Sequence, residues 1–181
     1  MIKRLALGTV AVLVAAVAVL VGLTLTRPDR YLVQREVEIA AAPAAVFANL
    51  ADLRRWAKWS PWEAREPGMR RSYAGPPAGV GASYAWEGNE VGSGKLTVSE
   101  SAPPSQLRLR LQFVKPFAEE NELAFELTPL SAATRVRWSM SGPARFGARL
   151  LGLFGNVDPL IGRDLELGLA QLKKLSEEPS R

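Results

Sequence analysis

Residues 107–113 read Leu107-Arg-Leu-Arg-Leu-Gln-Phe113. Apolar side chains alternate with arginine and glutamine without a break. Successive side chains of an extended chain point to opposite faces, so this pattern makes a strand with one dry and one wet face. One-sided strands belong to antiparallel sheets, because the strands of parallel sheets are covered on both faces. The alternation continues at Leu123, Phe125 and Leu127, and again at Val136, Trp138 and Met140, with Arg135, Arg137 and Ser139 on the outer face.

Upstream, Met69–Ala74 and Ala82–Glu87 read as strands on either side of the turn-rich stretch 75–81, GPPAGVG. Gly88-Asn89 forms a tight turn into a strand over Val91–Glu100, where Gly92 and Gly94 imply a bulge or a close backbone approach. Earlier still, Tyr31, Val33, Val37 and Ile39 share one face of a strand over Tyr31–Ala41, and Arg35 interrupts that face. Pro43 opens a short helix that buries Val46, Phe47 and Leu50. Asp52 caps a second one through Trp56, which Ser60-Pro61 ends.

Downstream the period changes from two to that of a helix. Leu160, Ile161, Asp164, Leu165, Gly168, Leu169, Leu172 and Leu175 recur at helical spacing after the start signal Asp158-Pro159. A shorter helix over about 145–154 precedes it. The order is one strand, two short helices, six more strands and a long C-terminal helix. The fold class is therefore α+β. A curved antiparallel sheet with one apolar face needs a cover, and the long helix over 158–175 is the expected one, with a cavity between them.

Composition limits the chemistry. The 181 residues include no histidine and no cysteine. A Ser-His-Asp triad, a histidine base, thiolate metal sites and disulfides are excluded. No carboxylate cluster has metal-ligand spacing and no glycine-rich phosphate loop precedes a helix, so no metal and no cofactor are expected. The net charge is +5, of which residues 1–29 carry +2. The remaining +3 is too weak for nucleic-acid binding.

Leu5 to Thr26 holds 22 residues without a charge, between Lys3-Arg4 and Arg27-Pro28-Asp29-Arg30. As a helix it would span about 33 Å, enough for a hydrocarbon core of about 30 Å. The Ala16-Val-Ala18 triplet offers a signal-peptidase site only in the middle of this run, which favours an uncleaved anchor. Residues 1–29 are thus expected to be a single-pass membrane anchor and 30–178 one domain. Positive-inside bias places that domain outside the cytoplasm.

The order of elements resembles the helix-grip fold of the START-like, or SRPBCC, superfamily. Within it, the chain is similar to bacterial polyketide cyclase/dehydrase-like proteins. The residues that carry this are Ile39-Ala-Ala-Ala-Pro43 with Val46-Phe47, Trp56, Trp59-Ser-Pro-Trp62, Gly75-Pro76, Gly79-Val-Gly81, Trp86-Glu-Gly88, Gly92-Ser-Gly94, Thr134-Arg-Val-Arg-Trp138 and Gly168-Leu-Ala-Gln-Leu-Lys173. The resemblance covers nearly all of the chain after residue 29. It implies a domain that holds a hydrophobic small molecule or lipid, and it brings no catalytic motif with it.

The candidate ligand-binding residues are Trp59, Trp62, Tyr84, Trp86, Phe113 and Trp138, joined by Ile161 and Leu165 on the long helix. Apolar pockets are rich in aromatic side chains, although core packing uses the same residues. Trp59 and Trp62 bracket a loop and are expected at the pocket mouth. Glu87 has the opposite parity to Tyr84 and Trp86 and faces outward. Asn89 and Asn121 read as turn residues. Arg108, Arg110, Arg135 and Arg137 are expected to pair with glutamates on the outer face rather than to meet lipid headgroups. Two other functions remain open: a cyclase or hydratase using a cavity carboxylate or Tyr84 as acid or base, and an envelope interaction protein with an apolar patch at Trp59 and Trp62.

Overall fold

The computed structural model describes residues 2–144, 149, 150, 152 and 158–178, with side chains from residue 13 onward. The chain divides into two units, residues 1–31 with 143–157, and residues 32–142 with 158–181. The short helix expected over 145–154 falls largely outside the described residues; Arg149 and Leu150 are helical.

The first unit contains α1 (Ile2–Leu25). Its apolar side chains from Leu13 to Leu25 are mostly exposed. Among the described residues no helix is long and apolar enough to cross a membrane.

The second unit is built on a seven-stranded sheet: β1 (Arg30–Ile39), β2 (Arg70–Ala74), β3 (Ser83–Glu87), β4 (Ser93–Ala102), β5 (Gln106–Lys115), β6 (Glu119–Pro129) and β7 (Thr134–Pro143). The spatial order is β1-β7-β6-β5-β4-β3-β2. From β2 to β7, strands consecutive in the chain pair antiparallel. The one-sided pattern of 107–113 holds: Leu107, Leu109 and Leu111 are buried, together with Leu123, Phe125, Leu127, Val136, Trp138 and Met140. The outer face is laced by cross-strand ion pairs. Arg108 meets Glu100 and Glu122, Arg110 meets Glu120, Arg135 meets Glu38, and Arg137 meets Glu36 and Glu126. Exposed pairs of this kind contribute about 0–1 kcal/mol each, so they keep this face wet rather than hold the sheet together.

Two groups of helices cover the apolar face. α2 (Pro43–Ala51) is followed by a 3-10 helix over Leu53–Lys58, whose first turn is capped by the Asp52 carboxylate accepting from Arg54 N at 3.0 Å. Ser60-Pro61 does not merely end this segment. Pro61 occupies the first turn of α3 (Pro61–Arg65), where its missing N–H costs nothing. α4 (Asp158–Glu177) is the long C-terminal helix.

Trp56, Trp59 and Trp62 recur every third residue and drive this connection into the sheet. The Trp56 and Trp59 rings meet Phe125 edge-on at 5.9 and 6.2 Å, and Trp59 and Trp62 meet Trp138 at 5.6 and 5.8 Å. On α4, Leu165, Leu169 and Leu172 are buried. A Cβ on Gly168 would lie 2.6 Å from Cζ3 of Trp138 and 3.1 Å from Cδ of Pro61. The missing side chain therefore lets α4 close directly onto the tryptophan.

Arg35 has the parity of the buried face of β1, lies in the middle of the strand, and is half-buried. Its guanidinium donates to Asp158 Oδ1 at 3.0 Å, Asp158 Oδ2 at 2.8 Å and Glu166 Oε1 at 2.6 Å. Asp158, Gly162 and Glu166 lie four residues apart on one face of α4. The guanidinium crosses the helix at Gly162, where a Cβ would collide with it.

Candidate functional site

The apolar face is not filled everywhere. A cavity of about 70 Å³ lies under the connection 56–69, against β3, β4, β5, β6 and β7. It opens to solvent on one side. The wall is almost wholly apolar. Trp56, Met69, Leu96, Leu111, Leu123 and Met140 form its buried part, and Trp62, Trp86, Val91 and Phe113 are half-buried at the mouth.

This placement corrects one expectation. The cavity lies between the sheet and the 3-10/α3 segment, not between the sheet and the C-terminal helix, and no residue of α4 lines it. The physical reason is the contact of Gly168 with Trp138, which leaves no space beneath α4.

Of the residues singled out in the sequence, Trp62, Tyr84, Trp86 and Phe113 come together on this wall. Trp59, Trp138 and Leu165 are fully buried elsewhere in the core, and Ile161 is half-buried on α4. None of these four lines the cavity. Trp59 is held away from it by its own packing, with Nε1 donating to Asn49 O at 3.3 Å.

Strand register builds the aromatic side of the site. Tyr73 and Tyr84 are partners across β2 and β3 and stack at 5.2 Å; Tyr84 and Trp86, two residues apart, stack at 5.9 Å. Trp86 then meets Phe113 edge-on at 5.9 Å. The partner of Trp86 on β4 is Gly94, and a Cβ there would run into the indole ring. Gly94 thus supplies the close approach anticipated for this strand, and it lets the indole lie across the sheet at the mouth.

A polar cluster not anticipated from the sequence closes the other side. Glu63 on α3 is only 5 % exposed and lines the cavity. Its Oε1 accepts from the Tyr84 hydroxyl. Its Oε2 accepts from Arg71 Nε at 2.8 Å and pairs with Arg71 Nη2 at 2.7 Å. Arg71 Nη1 donates to the carbonyls of Pro67 and Met69 at 3.0 and 2.7 Å. The carboxylate is buried with both oxygens engaged, as a buried charge requires. Burial and the facing Glu63 push the Tyr84 hydroxyl far above the ordinary tyrosine range, so it stays protonated. Tyr73 moves in the same direction, through burial first and Glu63 second.

In the sequence Glu63 stands in Pro61-Trp-Glu-Ala-Arg65 like any solvated helix residue. Its Pro-Trp neighbours, which seat the short helix on the core, were the available signal. Glu87 does face solvent and pairs with Arg70. Asn121 is not a turn residue: it lies buried in β6. Asn89 lies in the β3–β4 connection, where Glu66 accepts from the backbone N–H groups of Asn89, Glu90 and Val91 at 2.8, 2.9 and 3.1 Å. Among the described residues no group of three or more carboxylates is placed to hold a metal ion.

The fold recurs in solved structures. DynU16, a protein in the dynemicin biosynthetic locus, superposes with a TM-score of 0.60 at 20 % identity, over 84 % of this chain and 48 % of that one. This chain thus spans about half the length of DynU16. Protein CV1439 from Chromobacterium violaceum gives 0.59 at 19 % identity over 83 % and 99 % of the two chains. Aha1 from Colwellia psychrerythraea, solved as a dimer, gives 0.59 at 17 % over 83 % and 99 %. At these identities the likeness is one of fold. No curated protein matches the sequence. The sequence model of the family described as polyketide cyclase / dehydrase and lipid transport matches residues 30–177, the whole of the sheet and its helices, and the chain belongs to that family.

Proposed function

We propose that the protein is a membrane-tethered binding domain for a hydrophobic small molecule or lipid. The observation that carries this reading is the cavity walled by Trp62, Tyr84, Trp86 and Phe113, apolar except at the Glu63–Tyr84 corner. Drug-sized ligands occupy roughly 300–1,000 Å³. The enclosed space, about 70 Å³, is smaller than that and holds only part of such a ligand. A ligand would place one apolar end in the chamber and the rest between Trp62, Trp86 and Phe113. A lipid would leave its headgroup at the mouth. The tether is the apolar run 5–26, which would lie in the bilayer of an exported single-pass protein. Organic extraction and native mass spectrometry of the full chain, purified in a mild detergent, should reveal a bound apolar molecule. Loss of that molecule in Leu111→Trp, which fills the chamber, would tie it to this site. An empty protein that also takes up no apolar dye would end the reading.

Glu63 favours a second reading, a cyclase or hydratase in which Tyr84 acts on a bound substrate. A protonated tyrosine beside a carboxylate is a hydrogen-bond donor and a poor base. Tyr84→Phe separates the two readings, because it removes turnover in an enzyme and leaves apolar binding within about threefold in a carrier.

A further inference from the structure

One buried polar group on the cavity wall has no task within the protein. Ser60 lines the cavity just before α3 and is only 5 % exposed. A serine in that position normally caps the helix, its hydroxyl accepting from a backbone N–H of the first turn. Here the N–H of Glu63 donates to the backbone carbonyl of Ser60 at 3.2 Å, and the hydroxyl makes no capping bond. Among the described residues nothing else pairs with that hydroxyl.

The other buried polar groups of the wall are engaged inside the protein. Glu63 accepts from Tyr84 and from Arg71, and Tyr84 gives its one hydroxyl proton to Glu63. The Trp56 indole N–H donates to Leu50 O at 2.9 Å. Arg71 is turned to Glu63 and to the carbonyls of Pro67 and Met69, and it is not part of the wall. Ser60 is left over. A hydroxyl buried in apolar surroundings without a partner costs free energy that an alanine would not. Such a group marks the place where a polar atom from outside the chain completes the bond.

We infer that Ser60 is the polar contact of the bound molecule, and that this molecule carries a neutral oxygen at its buried end, as an alcohol, phenol or ketone does. Serine both donates and accepts, so it serves hydroxyl and carbonyl oxygens alike. An anionic end does not suit the place. The only charge on the wall is the Glu63 carboxylate, three residues on, and no cation of the wall offsets a second one. The inference rests on the reading of the cavity as a ligand site and narrows its ligand from apolar molecules in general to neutral oxygenated ones. Free acids are set aside. The chamber of about 70 Å³ takes the oxygenated end, and the apolar remainder lies between Trp62, Trp86 and Phe113.

The test uses naphthol, methylnaphthalene and naphthoate, substituted at the same ring position, as competitors of phenylnaphthylamine on the full chain in a mild detergent. The pH is neutral, where naphthol is uncharged, and each affinity is corrected for partition into protein-free micelles. Ser60→Ala is expected to weaken naphthol about fivefold, the worth of one neutral hydrogen bond, and to leave methylnaphthalene within about twofold. Naphthoate should bind the unmodified chain about tenfold more weakly than naphthol, or worse. The urea midpoint of Ser60→Ala should be unchanged or raised, because the hydroxyl holds nothing in the fold. A structural hydroxyl reads differently: the midpoint would fall and both neutral probes would weaken alike, which overturns the inference. So does a hydroxyl that meets water only, for which Ser60→Ala changes neither probe while the cavity still takes up both. Naphthoate competing as well as naphthol overturns the exclusion of acids. If neither dye nor probe is taken up, the reading of the cavity itself fails, and the Ser60 contact with it.

Discussion

Tyr84 on β3 donates its hydroxyl hydrogen bond to Oε1 of Glu63 on α3, joining the sheet to the short helix that roofs the cavity. The contact positions α3 as much as it polarises the site, because Glu63 also holds Arg71 at the start of β2. Glu63→Gln leaves the partly buried Arg71 cation without its counter-charge. It is expected to destabilise the domain by about 2–3 kcal/mol, at the lower edge of the range for breaking a buried pair, since Arg71 retains some solvent. Tyr84→Phe leaves one carboxylate oxygen short of a donor and should cost about 1–2 kcal/mol. Urea unfolding monitored by tryptophan fluorescence measures both.

The same pair sets an alkaline limit. The folded state holds the Tyr84 hydroxyl above its unfolded range, and Tyr73 is raised with it. A group raised in the folded state contributes stability that is complete below its unfolded pKa and is lost as pH rises above it. Stability should therefore fall above pH about 10, the ordinary tyrosine value. Tyrosinate absorbance should appear only as the chain unfolds, and Tyr84→Phe should flatten part of the decline. A Tyr84 that ionises freely in the folded protein would contradict the burial described for it.

On α4 the two glycines are expected to respond differently to alanine. At Gly168 the new Cβ meets the ring of Trp138, which is itself locked between Phe125 and Trp59 and cannot move aside. Gly168→Ala should destabilise by about 1–3 kcal/mol despite the better helix propensity of alanine. At Gly162 the obstacle is the end of the Arg35 side chain, which can swing away. Gly162→Ala should leave thermal stability nearly unchanged and break the ion cluster instead.

That cluster has its own signature at low pH. The Arg35 guanidinium beside Asp158 holds its carboxyl below the usual aspartate range. A depressed carboxylate contributes stability above its unfolded pKa, about 3.9, which is lost as pH falls through the folded value. Asp158→Asn and Gly162→Ala should each reduce the acid sensitivity of unfolding below pH about 4 relative to the unmodified chain. A parallel set of acid unfolding curves is the measurement.

At the cavity, Gly94→Ala should lift the Trp86 indole from β4, because its Cβ would meet the ring. The expected result is a red-shifted tryptophan emission together with weaker uptake of the neutral dye phenylnaphthylamine. An unchanged dye affinity with a shifted emission would show that Trp86 is not part of the mouth.

Much of the fold is legible in the sequence because sheet patterning is local. The alternation at 107–113 depends only on the period of an extended chain, and the same rule finds the strands around 123–127 and 136–140. The helix over 158–175 announces itself by the change of period and by Asp158-Pro159. Four of the eight candidate lining residues share the cavity wall: strand parity and cross-strand pairing place Tyr84, Trp86 and Phe113 on one face, and α3 brings Trp62 over them.

The remainder depends on contacts between residues far apart in the chain. Local pattern cannot tell a tryptophan that fills the core from one that borders a void, and so Trp59 and Trp138 were indistinguishable from Trp62. Glu63 and Arg71 look solvated until α3 is folded onto the sheet. Arg35 breaks an apolar strand face until Asp158 and Glu166 arrive from more than a hundred residues away. The sequence alone determined the strands, the long helix and the one-sided sheet, since each follows from side-chain direction along a single segment. Only the tertiary structure decided where the cavity lies: Gly168 lets α4 close on Trp138, and the space is left instead beneath α3, where Glu63 meets Tyr84.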